Sequence, residues 1–92
     1  MTQVQGFTVN NQGGSSVTII DPNSAQTVVP PTGTSKLFTM KGTYKLRALP
    51  ATGGTIEVDV STIEIDAAGF LRITPVAAAS SASQFVVNGL LN

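Results

Sequence analysis

Two pairs of carboxylates stand two residues apart, Glu57 with Asp59 and Glu64 with Asp66. In an extended chain that spacing puts both members of a pair on one face. A hydrolase uses such an arrangement for an acid and a base, and calcium sites use it as well. Basic residues bracket the same pairs: Lys45 and Arg47 precede the first, and Arg72 follows the second. A ladder of ion pairs across neighbouring strands therefore competes with chemistry. No Asp-rich loop surrounds the acids to favour calcium, and the ladder is the stronger reading.

Other chemistry lacks its parts. There is no histidine, the commonest general base and metal ligand, and no cysteine for disulfides, iron–sulfur clusters or thiolate zinc. The eight serines have no GxSxG setting and no lysine three residues on. Thr2 follows Met1, so an amino-terminal threonine mechanism would need processing. The loops Asn11–Ser16 and Thr32–Lys36 are rich in Gly, Ser and Thr, but they lack GxxxxGK[ST] spacing and a following helix pattern. They read as turns rather than phosphate cradles. Lys36, Lys41, Lys45 and Arg47 form a basic cluster with few aromatics beside it and with acids close enough to cancel its field. Lys36 and Lys41 are read instead as guards of a strand edge or contacts to an acidic partner. The sequence implies no catalytic residue, no cofactor and no metal.

Ninety-two residues make one domain. A chain this short buries only about 60 to 65 per cent of its unfolded surface, so association is the expected source of added stability. Net charge is zero and charged residues make up 11%, against about 25 per cent in ordinary domains. Neutrality disfavours nucleic acid, which demands a basic surplus. No apolar run approaches a membrane span of about 18 residues, and no signal peptide is evident at the N-terminus. A low-charge surface of Thr, Ser, Gly and Val suits a protein packed against others.

The elements that place these residues are strands. Short runs rich in Val, Ile and Thr cover 5–10, 16–20, 26–29, 36–41, 43–49, 55–60, 62–66, 70–74 and 84–87. Gly, Pro, Asn and Asp clusters separate them. Phe38, Met40, Tyr44, Leu46 and Ala48 alternate with polar neighbours, as do Ile56, Val58 and Val60, so these apolar sets are expected to face inward. Folding the chain back about Thr52 sets Arg47 opposite Glu57, Lys45 opposite Asp59, Leu46 opposite Val58 and Tyr44 opposite Val60. A second hairpin about Ala68 sets Glu64 opposite Arg72, Ile65 opposite Leu71 and Ile63 opposite Ile73. Its loop Ala67-Ala68-Gly69 fits a three-residue turn with Gly69 left-handed. Between the hairpins the apolar phase moves from even to odd positions, which predicts a bulge or bend at Ser61-Thr62.

The expected fold is all-β, a small antiparallel sandwich or barrel of about seven to nine short strands with an extended C-terminal arm. The domain spans residues 1–76. Residues 77–92 are an Ala/Ser linker leading to an apolar stretch, either an arm or a last strand returning to the sheet. Val4 and Phe7 near the start, and Phe85, Val86, Val87, Leu90 and Leu91 near the end, lie outside the clear hairpins and are the expected interface residues.

Gly42-Thr43-Tyr44 resembles the Gly-x-Tyr of late strands in immunoglobulin-like sandwiches, which implies a corner bond from the Tyr hydroxyl. The Cys…Trp…Cys signature of that group is absent. The whole chain resembles small head decoration (cement) proteins of tailed bacteriophages: a short threonine-rich β module with no cysteine, little charge, and an Ala/Ser linker before an apolar tail. That resemblance is one of overall style and carries no site residue with it. It implies a homo-oligomer, a trimer foremost, made in the host cytoplasm and bound to a major capsid protein on the capsid exterior. A tail or fibre component and a carbohydrate-binding sandwich are the alternatives.

Overall fold

Seven strands form within residues 3–92, which the computed structural model describes; Met1 and Thr2 lie outside the described residues. They are β1 (Val4–Asn11), β2 (Val17–Ile20), β3 (Gln26–Val29), β4 (Gly42–Ala48), β5 (Val58–Ile65), β6 (Leu71–Pro75) and β7 (Phe85–Leu91). No helix occurs among the described residues. A five-stranded antiparallel sheet runs β3-β2-β4-β5-β6, and β1 pairs with β7 in a two-stranded sheet. The two sheets pack as a small sandwich.

Alternation drives each layer inward. Phe7 and Val9 of β1 meet Val17 and Ile19 of β2, Tyr44 and Leu46 of β4, and Ile63 and Ile65 of β5, all buried. At the centre the rings of Phe7, Phe38 and Tyr44 touch mutually, with centroids 4.8 to 5.6 Å apart. Phe7 and Phe38 stack while Tyr44 meets both edge-to-face, and such pairs add about 0.5–1.5 kcal/mol each beyond simple burial. The Tyr44 hydroxyl donates to the Met40 carbonyl at 2.6 Å, the corner bond that the Gly-x-Tyr likeness implies.

The second hairpin has the register its alternation predicts: Ile63 pairs with Ile73, Glu64 with Arg72 and Ile65 with Leu71. Its turn is closed by the Asp66 amide donating to the Phe70 carbonyl at 3.0 Å, and Gly69 takes φ +91°. The first hairpin departs from expectation. Arg47 pairs with Asp59, Ala48 with Val58, Leu46 with Ser61, Lys45 with Thr62 and Tyr44 with Ile63. Val60 has no partner of its own, so the phase change falls at Val60–Ser61, inside the paired segment. Both residues are buried, as a bulge that turns two successive side chains to one face requires. The expected pairs Lys45–Asp59 and Arg47–Glu57 therefore do not form. Ile56 lies in the loop and is exposed, and Val58 and Met40 are exposed as well rather than inward.

Two expected elements also differ. Residues 36–41 are not a regular strand. The 33–38 segment lies along the outer edge of β1, where the Phe7 and Phe38 amides each donate to the other's carbonyl and the Val9 amide donates to Ser35 Oγ. The C-terminal apolar stretch is a strand on its own domain rather than an extended arm, because pairing with β1 satisfies backbone groups that an arm would leave to solvent. The Ala/Ser segment before it crosses one end of the sandwich under restraint. The Val76 and Ala77 amides both donate to the Val60 carbonyl, Ser80 donates to Leu49, and the Gln12 and Gly13 amides donate to Gln84. A Cβ on Gly13 would meet the Ala82 carbonyl at 2.6 Å, so only glycine lets the crossing lie this close.

Candidate interaction surface

The carboxylates that opened the chemical reading are held in structural contacts. Arg47 Nε lies 3.2 Å from Asp59 Oδ1 without aiming its N–H there, so the contact is ionic rather than hydrogen-bonded. Glu57 Oε1 instead accepts from the Thr18 hydroxyl at 2.8 Å, and the Glu57 carbonyl accepts from Arg47 Nη2. Arg72 sits between Glu64 and Asp66, 3.7 Å from each. Asp66 Oδ1 also accepts the Ala68 and Phe70 amides of its own turn. Lys45 has no ion pair among the described residues. No group of three acids converges on a point among the described residues. The strands thus spread the acids along a ladder rather than gathering them.

The polar loops are likewise turned on themselves. Asn11 is fully buried; its Nδ2 donates to the Ser15, Val29 and Pro30 carbonyls and its Oδ1 accepts the Gly13 amide. Asp21 Oδ1 accepts the Asn23 and Ala25 amides at 2.9 Å. Beside it lies an open cleft of about 400 Å³ lined by Ile20, Pro22, Gln26, Thr43 and Lys45. Lys41 Nζ donates to the Ala67 carbonyl, and Lys36 Nζ stands over the Phe38 ring.

What remains unpartnered is a surface. Every charged residue lies between Asp21 and Arg72; none precedes or follows. Because β1 and β7 come from the two flanking segments and pair with each other, that distribution makes one whole layer free of charged side chains. Its outer face carries Thr8, Asn10, Val86, Asn88 and Leu90, of which Val86, Asn88 and Leu90 are exposed. Leu91 is exposed at the end of the strand.

The expected interface residues therefore divide. Val86, Leu90 and Leu91 are at the surface, and Phe85 and Val87 are half-buried against the core. Val4 and Phe7 are not available to a partner. Both are core residues whose side chains pack in the cluster between the two layers, with β7 and the 33–38 segment along the two edges of β1. Ile73 was missed. It shares the inner-face phase of Ile63 yet is 46% exposed, so the larger sheet overhangs the smaller there. The placement of charges was the available signal for the surface itself.

Strand edges sharpen the picture. β3 is four residues long and runs into Pro30-Pro31. β6 carries Arg72 and ends at Pro75. The outer edge of β1 is covered by residues 33–38. β7 is seven residues long, with no charge, no proline and no bulge of its own. Proteins normally blunt a free edge with one of these devices; β7 has none. Compared with known protein families, curated proteins and solved structures, the chain matches none.

Proposed function

We propose that this chain is a non-enzymatic virion structural protein that decorates a phage capsid from outside and stabilises it by binding a major capsid protein across capsomer boundaries. The observation that carries the reading is the layer free of charged side chains, with Val86, Leu90 and Leu91 exposed on it and the β7 edge unguarded. A surface of that kind gains most when covered, because apolar area leaves water and backbone groups find partners while no charge is desolvated. Packaged DNA strains a capsid outward, and added interface between capsomers opposes it. Contacts of roughly 1,200–2,000 Å² suffice for a stable complex, and symmetry multiplies them. The carbohydrate-binding alternative loses support, since Phe7, Phe38 and Tyr44 are buried and Phe70 and Phe85 half-buried, which offers a sugar no aromatic platform.

The test is addition of purified protein to expanded capsids that lack it. Saturable binding that survives high salt is the expected result, because a surface without charged side chains has no ion pairs to screen. No binding, or binding abolished by salt, would overturn the proposal. Electron microscopy that placed the protein on the tail would replace decoration with the tail-component reading.

A further inference from the structure

The free edge of β7 has a definite hydrogen-bonding parity. The Asn92 amide donates to the Gln3 carbonyl, and the Gln12 amide donates to the Gln84 carbonyl, so even-numbered residues of this strand face β1. The ladder between them runs without a bulge on β7, pairing Thr8 with Asn88 and Asn10 with Val86. In an antiparallel ladder the intervening residues must point the other way. The amides and carbonyls of Phe85, Val87 and Gly89, and the amide of Leu91, are therefore presented to the free edge. The Leu91 carbonyl accepts from Gln5 Nε2 at 3.2 Å.

We infer that β7 pairs antiparallel with β7 of a second copy, about a two-fold axis at Asn88, joining the two-stranded sheets into one of four strands. Three observations select this occupant and register. A two-fold brings every residue toward its own kind or its mirror position, which an edge strand carrying charge would resist; β7 carries none. Centring on Asn88 sets Phe85 opposite Leu91 and Val87 opposite Gly89 of the second copy, residues whose backbone groups are free apart from the Leu91 carbonyl. The same register sets Val86 opposite Leu90 on the outer face, so two exposed apolar side chains cover each other. The inference assigns the β7 edge to a second copy, leaves the outer face of the joined sheet to a capsid protein, and gives a dimer where the decoration-protein resemblance implies a trimer.

The experiment is mass by light scattering on the whole chain, with amide exchange followed by NMR. The expected mass is twice the 9.4 kDa of the chain, with the Phe85, Val87, Gly89 and Leu91 amides gaining protection as concentration rises. A variant carrying Val86→Lys, Asn88→Lys and Leu90→Lys places like charges opposite each other three times across the axis, on a face that is exposed in the single copy. It should run as a monomer with unchanged circular dichroism. Mixing it with the matching Val86→Glu, Asn88→Glu and Leu90→Glu variant should restore the doubled mass. Thr8→Lys, on the same face but on β1, should leave the dimer intact. A monomeric or trimeric wild type, a dimeric triple-lysine variant, or a doubled mass with those four amides still unprotected would overturn the inference.

Discussion

The two layers of this sandwich are built on different terms. The five-stranded sheet carries all three ion pairs found among the described residues. Its edge strands are short, close to proline, or marked by arginine. The two-stranded sheet has no ion pairs among the described residues, and its β7 edge has no guard. It is held from inside, by Phe7 and Val9 in the core and by buried Asn11 at the end of β1. The difference teaches that the charged ladder, the most conspicuous pattern in the sequence, marks the layer whose strand edges are guarded, although Val28, Val58 and Ile73 are exposed there as well.

That comparison breaks if stability depends on the ladder rather than on the buried anchors. Phe7→Ala should cost the most, about 3–5 kcal/mol, by emptying the centre of the aromatic cluster. Urea unfolding followed by circular dichroism would register it as a large drop in midpoint. Asn11→Ala comes next. It removes one partner each from the Ser15, Val29 and Pro30 carbonyls and from the Gly13 amide, which keeps its bond to Gln84, at about 1–3 kcal/mol on the same assay, and it should loosen the 11–16 loop in amide exchange.

Tyr44 tests the five-stranded side. Burial, reinforced by the charge of Asp21, raises its phenol above the ordinary 10.0. The folded state thus favours the neutral phenol. The resulting stabilisation is whole below the unfolded value and is lost as pH rises through the raised one. Tyr44→Phe should cost about 0.5–1.5 kcal/mol near neutrality and flatten the alkaline fall in midpoint relative to wild type. Arg47→Ala should do least, about 0–1 kcal/mol, because its pair with Asp59 is 41% exposed on both sides. A larger loss at Arg47 than at Asn11 would invert the comparison.

The fold class was legible in the sequence because alternation and turn chemistry are local. The hairpin about Ala68 is the clearest instance. A three-residue loop with Gly69 leaves one register, and Glu64, Ile63 and Ile65 find the partners their spacing implies. The hairpin about Thr52 failed for a physical reason. Residues 49–57 form a long loop that dictates no register, and the bulge at Val60 lies inside the ladder rather than beyond it. Alternation then suits two registers, and only packing chooses. The β1–β7 pairing was hidden for another reason, since nothing local in Val4–Asn11 points to a partner at the opposite end of the chain. Val4 and Phe7 consequently read as spare apolar residues when they are core. The unguarded edge became visible only once that pairing was known.

The Val60 carbonyl, which receives the amides of both Val76 and Ala77, decides the route the backbone takes. The Val76 bond continues the register of β5 with β6, and the second bond, from Ala77, ends that ladder where the chain turns out of the sheet toward β7. The irregularity that defeats register prediction is therefore also the junction that sends the polypeptide from one layer to the other.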